Sequence, residues 1–366
     1  MKTAEIPKED GWARPFDHLL LELLGRVPSL KLLSLERLAR VAPDSPHRAD
    51  GLATVRAGNR KWTLVVEVKR NGQPRVVRGA VLQLEESLRL LPGRAPRYGV
   101  VLAPFISEAS ASLCVQAGIG YADLAGNARL AFDQVFIETR AAGNALGEKK
   151  EVRSLFAPRA ARALRVLLQG PLRPWKVTAL AAAARVSVGW VSAVRQRLLA
   201  REWAVDAPGG LQVTKPGALL DAWAEADDWE KRTSTREYSL LVTDPAEIAT
   251  RAHRLLGGQR HAFTQWIAAA LRHPHTTPPL VTAYVEEFPD DALLKEALLA
   301  RRVDSGGRLR LVRAGDEGVF NPLQTVEGLP LVSDVQLYLD LIHAGLRGNE
   351  AAAELRKWPD FAGAWA

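Results

Sequence analysis

The sequence is nearly without cysteine: Cys114 stands alone among 366 residues. A lone thiol closes no internal disulfide and builds no thiolate metal site, which fits a reducing compartment. Cys114 falls in a helical-looking run from Glu108 to Ala117 and reads as a core residue. Long apolar runs are missing too, and with no stretch of about 18 such residues no membrane-spanning helix is expected. The opening MKTAEIPKEDGW carries Glu5, Glu9 and Asp10 and no apolar core, so it does not read as a signal peptide and a cytoplasmic location is expected. There is no glycine-rich phosphate loop of Walker or dinucleotide type and no G-x-S-x-G elbow, which removes the commonest nucleotide-binding and hydrolase signatures. The closest histidines, His273 and His275, have no carboxylate or thiol at ligand spacing, so no zinc site is expected.

What is present is globular: 47% hydrophobic and 25% charged residues, enough for real cores, in a chain long enough for two or three domains. The net charge is +8, and it is concentrated. Between Arg153 and Lys215 stand eleven basic residues and only two acids, Glu202 and Asp206, so the remainder is close to neutral. A basic segment of this size is the electrostatic footprint of a nucleic-acid-binding module.

Three segments separate, at 1–150, 151–226 and 236–366, with a charged stretch (Asp227–Arg236) reading as a linker between the last two. The first alternates helix and strand. Phe16, Leu19, Leu20, Leu23 and Leu24 form a helical stripe, with Asp17 in its first turn. Leu52–Arg56 and Trp62–Lys69 read as strands around a Gly58-Asn59 turn, then Gly79–Leu91 as helix, Tyr98–Leu102 as strand and Ser107–Ala117 as helix. The alternation implies an α/β layer. The third segment is mixed: Ser239–Thr243 and Leu280–Val285 read as strands, and Pro245–Leu256, Ala262–Leu271, Asp291–Leu299 and Val335–Ala344 as helices.

The middle segment reads as a winged helix-turn-helix. Helices are expected over Arg159–Leu168, Val177–Ala184 and Val188–Ala200, with Ser187 as N-cap of the third, and then two short strands around Pro208-Gly209-Gly210. Leu180, Val186, Val191, Val194 and Leu198 would hold the tri-helical core. The N-terminal end of the third helix would enter the major groove of double-stranded DNA, placing Ser187, Gly189, Trp190 and Ser192 nearest the bases and Arg195, Gln196 and Arg197 further along. Lys176 and Lys215 suit phosphate. Trp190 could equally be a packing residue, and winged helices also serve protein contacts.

In the first segment, Asp50 precedes one strand and Glu67-Val68-Lys69 ends the next, so Glu67 and Lys69 share a face. Two carboxylates and a lysine so arranged can hold a divalent cation for phosphodiester cleavage, although E-x-K is also a common solvated strand face. The pattern resembles the PD-(D/E)xK signature of restriction-endonuclease-like folds. The resemblance implies Asp50 and Glu67 as metal ligands, Lys69 as the signature lysine, magnesium as cofactor if the site cuts, and Glu22 and Gln83 as accessory positions. DNA binding by itself calls for no cofactor.

Two further patches, Tyr121-Ala122-Asp123-Leu124-Ala125-Gly126-Asn127-Ala128-Arg129-Leu130 and Val332–Leu341 followed by Arg347–Ala352, are similar to stretches of the AbiEi-type antitoxins of type IV toxin–antitoxin systems. In the better-known members of that family the winged helix stands at the amino terminus, whereas here about 150 residues precede it. The resemblance implies a transcriptional regulator that represses its own operon and neutralises a neighbouring nucleotidyltransferase-like toxin. A homodimer is the usual form of such regulators, although no dimerisation element is legible. Asp123, Gly126 and Asn127 read as a loop after a short strand, with Asn127 holding a backbone turn. Gln336, Tyr338 and Asp340 read as polar residues of a docking helix at a domain interface. The expected architecture is a multidomain α/β and α+β chain: a restriction-endonuclease-like domain, a winged helix-turn-helix and a mixed α/β domain. Two other functions stay open, a metal-dependent nuclease targeted by the winged helix and a plasmid- or phage-maintenance DNA-binding protein.

Overall fold

A computed structural model describes residues 14–41, 48–141, 155–170, 172–274, 277–345 and 347–365. The amino-terminal dodecapeptide, Arg153 and His275 lie outside these residues. The chain divides into two compact units, the first mainly Met1–Glu148 and the second Lys149–Leu199 with Trp203–Ala366.

The first unit is a seven-stranded sheet whose strands lie in sequence order. Helix α1 (Arg14–Gly25) leads into β1 (Leu30–Arg37), β2 (Gly51–Ala57) and β3 (Arg60–Val68), an antiparallel set. Helix α2 (Pro74–Leu90) and helix α3 (Glu108–Gln116) are the crossovers that make β3, β4 (Arg97–Ala103) and β5 (Gly120–Asp123) parallel. Strands β6 (Ala128–Phe132) and β7 (Val135–Thr139) close the sheet antiparallel. Strand alternation splits the core into two layers. Leu64, Val66, Val100 and Leu102 join Phe16, Leu20, Leu23 and Leu24 of α1 on one face. Val65 and Val101 join Val77, Val81, Leu84 and Cys114 of α2 and α3 on the other. Burial pushes the Cys114 thiol up to about 12, so it stays protonated and packs as a small apolar group.

The second unit begins with α4 (Pro158–Leu168), α5 (Val177–Ala184) and α6 (Val188–Ala200), then the hairpin β8 (Ala204–Ala207) and β9 (Gly210–Val213) and helix α7 (Pro216–Ala226). A short α8 (Trp229–Arg232) enters β10 (Thr233–Ser239). There follow α9 (Pro245–Leu256), β11 (His261–Thr264), α10 (Gln265–Arg272), β12 (Val281–Val285), α11 (Asp291–Leu298), β13 (Arg301–Val303) and β14 (Leu309–Ala314). Strands β15 (Leu323–Val326) and β16 (Leu329–Val332) and helices α12 (Asp334–Leu341) and α13 (Gly348–Lys357) complete it. The mixed sheet runs β13-β10-β14-β12-β11-β16-β15. No single helix among the described residues is long and apolar enough to cross a membrane.

Several element expectations need correction. Residues 227–236 are no linker: they form α8 and the start of β10, and the Arg232 guanidinium bonds Asp227, Asp340 and the Tyr284 hydroxyl. The strand expected over Ser239–Thr243 lies earlier, at Thr233–Ser239, because its charges find partners across the sheet, Glu237 holding Arg310 of β14. Ala262–Leu271 is not one helix. It is β11 followed by α10, broken at Gln265, whose φ is 53°.

One apolar core runs through the whole second unit, from Leu155, Leu164 and Leu168 through Val191, Val194 and Trp223 to Tyr284, Leu311, Leu337 and Phe361. Polar joins tie α4 and α5 to the sheet half. Arg162 sets Nε and Nη2 on Asp316 and Nη1 on Glu317. Buried Arg165 donates Nε to Gln336 Oε1 at 2.8 Å. Asn321 Nδ2 donates to the Ala183 carbonyl, and Trp365 Nε1 to that of Leu168. Gln336 and Asp340, four apart on α12, share one buried face: Asp340 accepts from Gln336 Nε2 at 2.6 Å, Arg232 Nη2 at 2.8 Å and Tyr284 OH at 3.1 Å. Tyr338 points elsewhere, edge-on to Phe361.

Candidate functional site

Two constellations gather chemistry, one in each unit. In the first unit Gly51 pairs with Val66, which sets Asp50 opposite Glu67 at the end of β3. Asp50 Oδ2 accepts the Val68 amide at 2.7 Å, so the carboxylate is fixed by the strand beside it. Glu67 is only 5% exposed, on the face that α2 covers. Lys69 Nζ lies 2.6 Å from Glu67 Oε2 and 2.7 Å from Gln83 Oε1 of α2. Burial pushes the Glu67 carboxyl above its ordinary range and the Asp50 charge adds to this, while the Lys69 ammonium opposes both. Asp50, Glu67, Lys69 and Gln83 are therefore together. Glu22 stands apart, its carboxylate held by Arg26 on an exposed turn of α1.

The donor set suits a hard divalent cation at the minimum: two carboxylates, one just before β2 and one on β3, the latter short of water. Among the described residues no group of three or more His, Cys, Asp and Glu gathers at metal-binding spacing, so further ligands would have to be backbone or solvent oxygens.

The Asp123–Asn127 turn is used up internally. Asp123 is fully buried and accepts the Ile106 amide, the Asn127 amide and Asn127 Nδ2, while Asn127 Oδ1 accepts the Ala141 amide. Gly126 takes a φ of +101° to close it. A cavity of about 640 Å³ lies alongside, and its wall mixes Glu108 and Glu138 with Arg129 and Arg140, so it favours neither sign of charge.

In the second unit, α5 and α6 meet at 114° across a three-residue turn, Arg185-Val186-Ser187. Arg185 is left-handed, with φ 54°, which ends α5, and the Ser187 carbonyl receives the Trp190 and Val191 amides to start α6. Val191, Val194 and Leu198 of α6 are fully buried. At about 100° per residue, Gly189, Ser192 and Gln196 fall together on the opposite face. Gly189 and Gln196 are exposed and Ser192 half-exposed. The hairpin is bound to the helices twice. Trp175, just before α5, bridges Leu211 of β9 through both backbone bonds, at 2.8 and 2.9 Å. Arg195 of α6 holds Asp206 of β8 with Nε at 2.9 Å and Nη2 at 2.6 Å. Gly210 is required at that bridge, because a Cβ there would lie 2.1 Å from the Trp175 carbonyl oxygen.

The expected contact residues thus separate. Ser187, Gly189, Ser192 and Gln196 face outward, and Lys176 and Lys215 are exposed. Arg195 is engaged with the hairpin and Arg197 is half-buried. Trp190 is half-buried against the core and also walls a cavity of about 460 Å³ with Arg159, Arg162, Arg185, Val186 and Ser187. Arg159, Arg162 and Arg185 are legible in the sequence only as members of the basic segment.

Residues 212–358 match the family described as "Transcriptional regulator, AbiEi antitoxin, Type IV TA system". The match takes in the Val332–Leu341 and Arg347–Ala352 patches and leaves out Tyr121–Leu130. No curated protein matches the sequence. Two solved structures share limited likeness. A repair endonuclease from Pyrococcus abyssi is 16% identical over 33% of this chain and 49% of its own, with a TM-score of 0.24. EndoMS in apo form is 20% identical over 33% and 48%, with a TM-score of 0.22. The chain spans about half the length of each, and TM-scores this low assign no fold. Over 40% of its length, then, the chain is similar to antitoxins of type IV systems that regulate transcription.

Proposed function

We propose that the chain is a cytoplasmic, sequence-specific DNA-binding regulator of antitoxin type whose reading head is a winged helix-turn-helix within 151–226. The observation that carries the reading is the outward face of α6. It carries Gly189, Ser192 and Gln196 with exposed Val188 beside them, and α6 meets α5 across the turn at an angle within the helix-turn-helix range. Gly189, Ser192 and Gln196 would address base edges with Ser187, and Lys176 and Lys215 the phosphates on either side. Arg195 would act by holding the hairpin against α6. The likeness of 212–358 to antitoxins supports a role opposite a nucleotidyltransferase-like toxin and control of its own operon. A palindromic operator would call for a two-fold homodimer. The proposed division of labour is 1–150 as a restriction-endonuclease-like domain, 151–226 as the head and 236–366 as the antitoxin-like domain.

A second reading is favoured by one observation, the meeting of Asp50, Glu67, Lys69 and Gln83. In it the first unit cuts DNA that the head selects. Asp50 and Glu67 would hold a divalent cation, which when bound would polarise the scissile phosphate. Lys69, released from Glu67, would put its charge beside the phosphate oxygens.

One gel separates the two. Labelled duplex from the region upstream of the coding sequence is incubated with protein in magnesium and, separately, in EDTA. A specific shift in both buffers with intact DNA is the expected result. Cutting in magnesium that vanishes in Lys69→Ala would establish the second reading, and no shift on any duplex would sink the first.

A further inference from the structure

We propose that the cavity between α4 and the α5–α6 turn is a phosphate pocket that seats one backbone phosphate of the duplex addressed by α6, with Arg159 and Arg185 as its charged jaws. The proposal rests on the DNA-binding reading above and adds the residues that fix the head's register on the backbone.

Three features of the cavity point to an anion rich in acceptors. Its polar wall consists of Arg159, Arg162, Arg185, Ser187 and Trp190, every one of which can donate, and contains no carboxylate. The Arg159 and Arg185 side chains are exposed and make no hydrogen bond or ion pair among the described residues, so no described carboxylate answers their two charges. Arg162 differs. Its charge is already answered by Asp316 and Glu317, and those bonds hold its guanidinium as a rigid side of the cavity with two N–H groups left over. The pocket is therefore shaped by a fixed arginine and charged by two that have no side-chain partner among the described residues. Guanidinium groups match phosphate oxygens in geometry as well as sign. The left-handed backbone of Arg185 carries that side chain out of the α5 helix at the turn, which a helical continuation would not do.

The site lies beside Ser187, at the end of α6 expected to enter the groove, where a phosphate contact positions the helix without reading sequence. Two other arginines of this segment are already occupied: Arg165 is buried on Gln336, and Arg195 is bound to Asp206.

The test uses the full chain and the upstream duplex. Equilibrium binding is measured between 50 and 200 mM salt for the unaltered protein and for Arg159→Gln/Arg185→Asn, in which asparagine tolerates the left-handed turn. Neither side chain has a partner among the described residues, so the melting temperature should stay within about 2 °C, because surface changes of this kind move stability by no more than about 0.5 kcal/mol. The log–log salt dependence should become shallower by about 1, the loss of one phosphate contact. The preference for the upstream duplex over a scrambled one should not change. Arg159→Lys/Arg185→Lys should restore most of the slope. An unchanged slope in the neutral variant, with the unaltered protein binding normally, would overturn the pocket alone. A collapse of sequence preference would also overturn it, because the arginines would then be touching bases. Failure of the unaltered protein to bind any duplex would remove the DNA reading and the pocket together.

Discussion

Buried on β3 beside Lys69, the Glu67 carboxyl is held above the ordinary carboxylate range by loss of water, with the Asp50 charge adding to the effect. The consequence for stability has a definite sign. Between the unfolded value and the raised folded value, the native chain holds more protons than the unfolded one. Stability from this group is therefore present at low pH, falls as pH rises through that window, and is level above it. Glu67→Gln removes the titration. The unfolding free energy of the first unit, measured by urea titration at a series of pH values, should show the difference between wild type and Glu67→Gln declining from the ordinary glutamate range upward. Lys69→Met, which removes the opposing charge, should extend the decline to higher pH. Parallel wild-type and variant curves would mean that Glu67 does not titrate abnormally. The meeting of Asp50, Glu67 and Lys69 was legible in the sequence because strand alternation and a two-residue turn set the register of β2 and β3. The roles of Arg162 and Arg165 were not. Their partners lie 154 and 171 residues away, and nothing local distinguishes a surface arginine from one that joins two halves of a core.

Among the elements, α5 and α6 could be read to their ends, because a run of alanine and spaced valines bounded by Arg185-Val186-Ser187 leaves little choice. Strand β10 could not, since the charged stretch up to Arg236 looks like linker until Phe288 lies against Arg236 and Arg310 against Glu237. Helix α6 also carries an apparent defect. Gly189 lies in its first turn, where a Cβ would meet only Ser187 Oγ at 3.9 Å, so the fold has room for alanine. Glycine in a helix costs roughly 0.5–1 kcal/mol relative to alanine. If α6 approaches bases at this point, the missing methyl serves the close approach. Gly189→Ala should then raise thermal stability while weakening duplex binding, with specific sequence affected more than scrambled. Stability and affinity rising together would show that Gly189 does not face DNA.

At the scale of the second unit, α4, α5 and α6 are packed into one larger core. Leu164 and Leu168 of α4 share one core with Tyr284 and Leu337 of the sheet half, and the Arg162–Asp316 and Arg165–Gln336 joins run beside it. A module hung on a linker would open alone, at a lower free energy than the sheet. A head built into the core should open with it. Hydrogen exchange on the full chain should therefore give amides of α4 and β12 the same opening free energy. Asp340 offers the perturbation that decides the matter. It is fully buried, lies on α12 rather than in the head, and accepts bonds from Arg232, Tyr284, Gln336 and Thr264. Removing one partner of a buried charge pair costs about 3–5 kcal/mol. Here Arg232 would keep Asp227, so the loss should lie toward the lower end, with Gln336, Tyr284 and Thr264 also left without their acceptor. In Asp340→Ala, protection should drop by a similar amount in β12 and in α4, although α4 has lost no bond of its own. A drop confined to the sheet would divide the unit in two and restore the head as an independent module. A shared drop would mean that anything binding the antitoxin-like half and altering its stability is felt at α4, α5 and α6 through the same core.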